Sequence, residues 1–394
     1  MRKINPFIII TFIFVLSFSV LFGVKTGVVY ADNIMISNLE TKSKSVYLYD
    51  PVSKTELYKS NENEKLPIAS MCKIMTLLLI FDEVSAGNIN LDDNIIVSEN
   101  ASSMGGSQVF LEENGEYLIA DLVKSITIAS ANDACVAMAE KISGTEEEFV
   151  CKMNEKAKDL GMENTIFSNC TGLPKPGQYS TAKDVATMFS KLIEHEEYFN
   201  FSNIWLDKIN HPKGRYTEIS NTNKLIRYYD GCDSGKTGYT KEAGHCLCAS
   251  ATRKGMRLIS VVINSPDSKT RFAESSALFN YGFNNFLCKI LVSKDKPLPI
   301  PLKIENGKSN FIQCIPSDNY SILLKNNEKR AFDVEFYPDL DIKAPIKAGD
   351  VVGKISVFEN SIEIGSVNVV SLEDVARANY FDYTKKIFDN WALI

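Results

Sequence analysis

Ser70 and Lys73 stand three residues apart, directly ahead of the apolar run 74–80. Good helix formers dominate that run and predict a buried helix over 70–84, beginning near Ala69. On such a helix, residues three apart share one face, a turn from each other. A serine hydroxyl is a weak nucleophile until a neighbouring base takes its proton. A lysine is such a base only where burial or nearby positive charge lowers its pKa, and the apolar run supplies burial. In the first turn Ser70 would also meet free backbone N–H groups, which favour developing negative charge. Taken alone, the pair fits equally well a core helix whose first turn happens to hold a Ser and a Lys, because S-x-x-K is common.

Two more polar sets follow in order, Ser130-Ala131-Asn132 and Lys236-Thr237-Gly238. Ser130 interrupts an otherwise helical stretch over 119–142, with Asn132 or Asp133 near the cap of the next helix. Lys236 lies in a polar connection over 231–240 that precedes two apolar strands, 245–252 and 256–264, joined as a hairpin across Arg253-Lys254-Gly255. Two short strands surround Pro51-Val52-Ser53-Lys54, and helices are expected over 145–160 and 181–193. Gly105-Gly106-Ser107-Gln108 is a small-residue loop, either a plain turn or a place where backbone approaches a substrate. Beyond Phe286 helical periodicity gives way to short strands and turns, an all-β domain over 287–372. The segment 373–394 ends in an amphipathic helix that gathers Tyr380, Phe381, Thr384, Ile387, Phe388, Trp391 and Leu393 on one side, suited either to packing on its own domain or to a membrane interface.

With 394 residues the chain is long enough for two domains, and its formal net charge of −6 argues against nucleic acid as a partner. Arg2 and Lys3, the uncharged run 7–24 and the small residues of Val29-Tyr30-Ala31 form the pattern of a cleaved signal peptide, 1–31. An uncleaved anchor is the alternative, since the run is just long enough to span a bilayer. Both readings send the remaining chain outside the cytoplasm. Nine cysteines cannot all pair, and no His/Cys spacing calls for a metal or another cofactor. Cys135, Cys246 and Cys288 sit in apolar surroundings and are expected to act as small buried hydrophobes.

In order, S-x-x-K, S-x-N and K-T-G match the set found in penicillin-binding proteins and serine β-lactamases. Acyl transfer from a peptide needs a nucleophile, a base, an acid for the leaving amine and donors for the oxyanion. In that set Ser70 attacks and Lys73 takes its proton. Ser130 relays a proton to the leaving group, its hydroxyl polarised by Lys73 and Lys236. Asn132 bonds the acyl side of the substrate. Lys236 and Thr237 present a cation and a hydroxyl to a substrate carboxylate, and Gly238 leaves room for backbone approach. The sequence resembles the D-alanyl-D-alanine carboxypeptidases, the low-molecular-mass penicillin-binding proteins, most of all the branch of endospore-forming Gram-positive bacteria. Ile128-Ala129-Ser130-Ala131-Asn132-Asp133-Ala134, Thr171-Gly172-Leu173-Pro174, Lys236-Thr237-Gly238-Tyr239-Thr240 and Ala243-Gly244-His245-Cys246-Leu247 carry the likeness.

The resemblance implies an α/β (α+β) β-lactamase/transpeptidase-like catalytic domain over 32–286, an antiparallel sheet flanked by helices, followed by the small all-β domain. It implies a peptidoglycan stem peptide as substrate, β-lactam antibiotics as covalent ligands, and a membrane surface as partner of the last helix. It also implies an oxyanion hole from the N–H groups of Ser70 and Tyr239, with Arg271 helping to hold the terminal carboxylate. Family members usually carry Thr where Cys72 stands, often His at Gln178, and an apolar residue at Gly235. A β-lactamase would share the triplet but needs a deacylating glutamate, for which Glu196 and Glu197 are the candidates. A catalytically silent wall-binding protein would lack the need for all four of Ser70, Lys73, Ser130 and Lys236. The lysine base leaves no role for His195, His211 or His245 in a triad.

Overall fold

Two-residue alternation builds the centre of the molecule. In the computed structural model, which describes residues 39–391, five strands form one antiparallel sheet. They are β1 (Ser45–Asp50), β2 (Thr55–Ser60), β3 (Cys232–Thr240), β4 (Gly244–Arg253) and β5 (Met256–Ser265), in the order β2-β1-β5-β4-β3. Along β4, Cys246 and Cys248 enter the core on one face while Leu247, Ala249 and Ala251 enter the core on the other. Both faces are covered, so these strands read as continuous apolar runs. Lys254 and Gly255 turn β4 into β5 with positive φ at both positions, the geometry of a two-residue hairpin.

One core holds α1 (Lys73–Ser85), α2 (Asn132–Ser143), α3 (Glu146–Asp159) and α4 (Ala182–Leu192). The opposite face is closed by α5 (Ser268–Asn285) through Leu278 and Phe279. Local chemistry sets several helix starts: Thr145 Oγ1 accepts from Glu148 N, and Thr181 Oγ1 accepts from Asp184 N. The expected break near Ser130 is present. A helix over Ile119–Lys124 widens into a π-turn over Ser125–Ala129, Ser130 is left-handed, and α2 begins at Asn132. No side chain caps α2 from the N-cap position, because that position is Ala131.

The segment around Lys236 departs from expectation. It is not a connection but the edge strand β3, paired along its length with β4. Its two glycines give it poor strand propensity, and the ladder with β4 overrides that. A strand over Phe286–Val292 opens the C-terminal β region, one residue ahead of the expected boundary. There a four-stranded sheet runs Cys314–Pro316, Ile362–Ser371, Val351–Glu359, Asp333–Pro338 over a separate small core that includes Ile312, Cys314, Val357 and Val369. Residues 373–379 are extended rather than helical, with Val375 bridged to Ile346, and α6 (Tyr380–Trp391) follows. All nine cysteines are unpaired. No helix among the described residues is long and apolar enough to cross a membrane; the expected leader, 1–31, lies outside them.

Candidate active site

Ser70 lies in a single 3-10 turn, Ala69–Cys72, that feeds straight into α1. Ala69 enters it with φ +47, a left-handed conformation a β-carbon disfavours, immediately before the expected nucleophile. Lys73 is fully buried, and its Nζ lies 3.2 Å from Ser70 Oγ, 2.6 Å from Asn132 Oδ1 and 2.6 Å from the Thr171 carbonyl. A neutral amine has two N–H donors and one lone pair. The amide oxygen of Asn132 and the carbonyl of Thr171 only accept, so they take both donors and leave the lone pair for the Ser70 hydroxyl. Burial, the largest influence, holds the Lys73 pKa below lysine's usual value, against the opposing pull of nearby thiols and Asp133.

Asn169-Cys170-Thr171 lines the far side of α1. Its three consecutive carbonyls accept from Cys72 Sγ, from Thr76 Oγ1 together with Cys135 Sγ, and from Lys73 Nζ. Cys72 is therefore buried and bonds to the Asn169 carbonyl rather than to Ser70. Asn169 Oδ1 holds the Gly172 amide at 2.7 Å. Gly172 has φ +79, and a β-carbon there would fall 2.0 Å from the Ala69 carbonyl oxygen. The loop thus backs directly onto the residue preceding Ser70. Thr171 belongs to the family-like Thr171-Gly172-Leu173-Pro174 stretch, while nothing in local sequence pattern marked Asn169 for this task.

Ser130 sits at the left-handed corner with φ +63, buried, and its Oγ has no hydrogen-bond partner among the described residues. The expected polarisation by two lysines is not formed. Lys73 is engaged with Asn132, Thr171 and Ser70, while among the described residues Lys236 Nζ reaches only the Thr237 carbonyl, at 3.4 Å. Asn132 likewise spends part of its amide inside the protein: Oδ1 accepts from Lys73 and Nδ2 donates to the Gly105 carbonyl at 2.7 Å. One N–H remains for a ligand. The glycine loop serves this contact, since a β-carbon at Gly106 would meet Asn132 Nδ2 at 2.8 Å. Asp133 ties the same loop down through the amides of Val109 and Leu111.

Along β3, Lys236 is buried and Tyr239 is 61 % exposed. Burial, and after it the charge of Lys73, pushes the Lys236 pKa well below its ordinary value. Thr237 is buried beside it. Gly238 does allow a close approach, but to the protein itself: a β-carbon would meet the Ile68 carbonyl at 2.6 Å and the Ser70 amide at 3.2 Å. Gly235 has φ +155, and an added β-carbon would lie 2.7 Å from the Cys248 carbonyl, so no apolar side chain fits there. Arg271, in the first turn of α5, donates from Nη1 to the carbonyls of Gly238 and Cys246, at 3.1 and 3.2 Å. Its guanidinium is thereby pinned to the ends of β3 and β4 rather than free to reach a carboxylate with every donor.

Of the histidines and the two glutamates, only His245 adjoins a residue of the site. His195 bonds Asp82 and Ser85 at the C-terminal end of α1, and His211 sits between Tyr117 and Thr217. His245 stacks on Tyr239 with ring centres 4.4 Å apart. Glu196 and Glu197 are exposed on the turn after His195, about 20 Å of helix away from Ser70.

Residues 32–267 match the D-alanyl-D-alanine carboxypeptidase family, and 288–377 match the C-terminal domain of penicillin-binding protein 5. The D-alanyl-D-alanine carboxypeptidase DacF of Bacillus subtilis is 39% identical over 362 residues, spanning 91% of this chain and 92% of its own. Penicillin-binding protein 5 of Haemophilus influenzae superposes with a TM-score of 0.67 at 29% identity, covering 87% of this chain and all of that one. Penicillin-binding protein D2 of Listeria monocytogenes, solved in its ampicillin-bound form, gives 0.56 at 29% identity over 63% of this chain and all of its own. With the family match running over most of the chain and a relative aligned nearly end to end, this chain belongs to the D-alanyl-D-alanine carboxypeptidases, the low-molecular-mass penicillin-binding proteins.

Proposed function

We propose that the enzyme removes the terminal D-alanine of peptidoglycan stem peptides through an acyl-enzyme on Ser70, and that β-lactams acylate the same atom. The observation that carries this reading is the Lys73 amine, buried, with two acceptor-only partners and Ser70 Oγ as the third contact. Neutral Lys73 accepts the Ser70 proton as Oγ bonds to the carbonyl carbon of the penultimate D-alanine. The N–H groups of Ser70 and Tyr239 stabilise the oxyanion. The C–N bond then breaks, Ser130 passes a proton to the departing amine, and water hydrolyses the ester. Lys236 and Thr237 receive the substrate's terminal carboxylate, Arg271 supports them through the end of β3, and the free N–H of Asn132 bonds the acyl chain.

The domain division at 286/287 and an extracytoplasmic site of action belong to the same proposal, as does membrane attachment through α6. Supporting the last, Tyr383 and Lys386 bond Asn306 and Gly307 of the β region, while Phe381, Ile387 and Phe388 face outward, more than 60 % exposed. The test is intact mass after benzylpenicillin. A gain of one drug molecule is expected, lost in Ser70→Ala; equal labelling of Ser70→Ala would overturn the assignment.

A further inference from the structure

Beside the nucleophile, on the side away from Lys236, lies a cleft of about 310 Å³. Its floor is Pro67, Ile68, Ala69 and Leu173, and its rim carries Lys175, Gln178, Thr240 and Glu242. Position along β3 assigns its place in the substrate track. Lys236 and Thr237 receive the terminal carboxylate in the reading above, on which this inference rests. Gly238 stands level with Ser70, and Thr240 opens the cleft. Three residues of antiparallel strand span about 10 Å. A peptide laid on the free edge of β3, carboxylate at Thr237, brings the residue before D-Ala-D-Ala about 7 Å upstream of the terminal residue, at the cleft mouth.

The rim has a definite chemistry. Lys175 and Glu242 are both exposed and form no ion pair among the described residues. Gln178 Oε1 accepts from the amides of Ser168 and Asn169, which leaves its NH2 group to donate. One ammonium, one amide donor and one carboxylate thus border a single apolar-floored cleft. We propose that it binds the side chain of the residue preceding D-Ala-D-Ala, and that it selects a side chain with an apolar stem ending in both an ammonium and a carboxylate. Lys175 and Gln178 hold the carboxylate, and Glu242 holds the ammonium. Diaminopimelate has that form, whereas lysine offers only the ammonium.

The test is D-alanine release from three acylated peptides ending X-D-Ala-D-Ala, with X meso-diaminopimelate, L-lysine or L-norleucine. The intact enzyme is compared with Lys175→Met and Glu242→Gln. Contacts at an exposed rim are modest, so kcat/KM for diaminopimelate is expected to exceed that for lysine about threefold, and lysine to exceed norleucine by about the same factor. Lys175→Met brings the first ratio to near one, and Glu242→Gln does so for the second. Each ratio is internal to one protein preparation, so a partial loss of folded enzyme cancels. Equal cleavage of all three peptides by the intact enzyme, or ratios unmoved by the substitutions, overturns the cleft assignment alone. Failure to cleave any peptide, with no penicillin adduct at Ser70, overturns the underlying mechanism and the cleft assignment with it.

Discussion

Gly172→Ala tests whether the loop behind the nucleophile sets its position. The new β-carbon would stand 2.0 Å from the Ala69 carbonyl oxygen, 2.4 Å from its carbon and 2.9 Å from the Ser70 amide. All three are backbone atoms, so no side chain can swing away. Relief requires roughly 1 Å of movement in the turn that carries Ser70. A misplacement of that size costs about 100-fold in rate when the reacting groups are pre-positioned. The left-handed conformation itself costs ~1 kcal/mol for a non-glycine residue. Gly177 separates the two effects. It shares the positive φ, +84, but an added β-carbon meets nothing within 4 Å. Both variants should lose thermal stability, while only Gly172→Ala should lose penicillin acylation, measured by stopped-flow or quenched mass spectrometry. A folded Gly172→Ala protein that acylates within about threefold of the parent rate would refute the reasoning, because the clash would then have been absorbed away from Ser70.

Lys73→Arg keeps the charge but cannot give up a proton near neutrality, so acylation should fall at least about 100-fold; a near-normal rate would move the base elsewhere. In the parent enzyme acylation should rise with pH as Lys73 deprotonates, on a limb below lysine's ordinary range because burial lowers its pKa. Between the folded and unfolded pKa the unfolded chain binds more protons. Stability should therefore also climb with pH through that window, and a rate or melting profile that falls there would contradict the assignment. Truncation after Arg377 should leave peptide hydrolysis intact and move the enzyme to the soluble fraction. Phe381, Ile387 and Phe388 each contribute roughly 1.5–3 kcal/mol on burial at an interface. Salt should release little of the full chain, since Lys386 is already committed to the Gly307 carbonyl.

Local pattern determined more of this protein than its modest motifs suggest. Spacing alone put Ser70 and Lys73 on one helical face, and the apolar run that follows made the lysine a buried one. Two apolar runs either side of Arg253-Lys254-Gly255 predicted the β4–β5 hairpin, and the break at Ser130 announced the corner before α2. Tertiary structure decided what those residues touch. Lys73 owes one of its two acceptor-only partners to Thr171, ninety-eight positions away, and Asn132 turned out to bond Lys73 and the Gly105 carbonyl. The stretch around Lys236 read as a connection because Gly235 and Gly238 have no strand propensity of their own; only pairing with β4 makes it an edge strand. Arg271 is anchored by carbonyls of two strands that precede it by 33 and 25 residues. Periodicity records which face of an element is buried, because that depends on near neighbours in the chain. Which distant carbonyl completes a buried amine depends on how separate elements pack, and no local period encodes it.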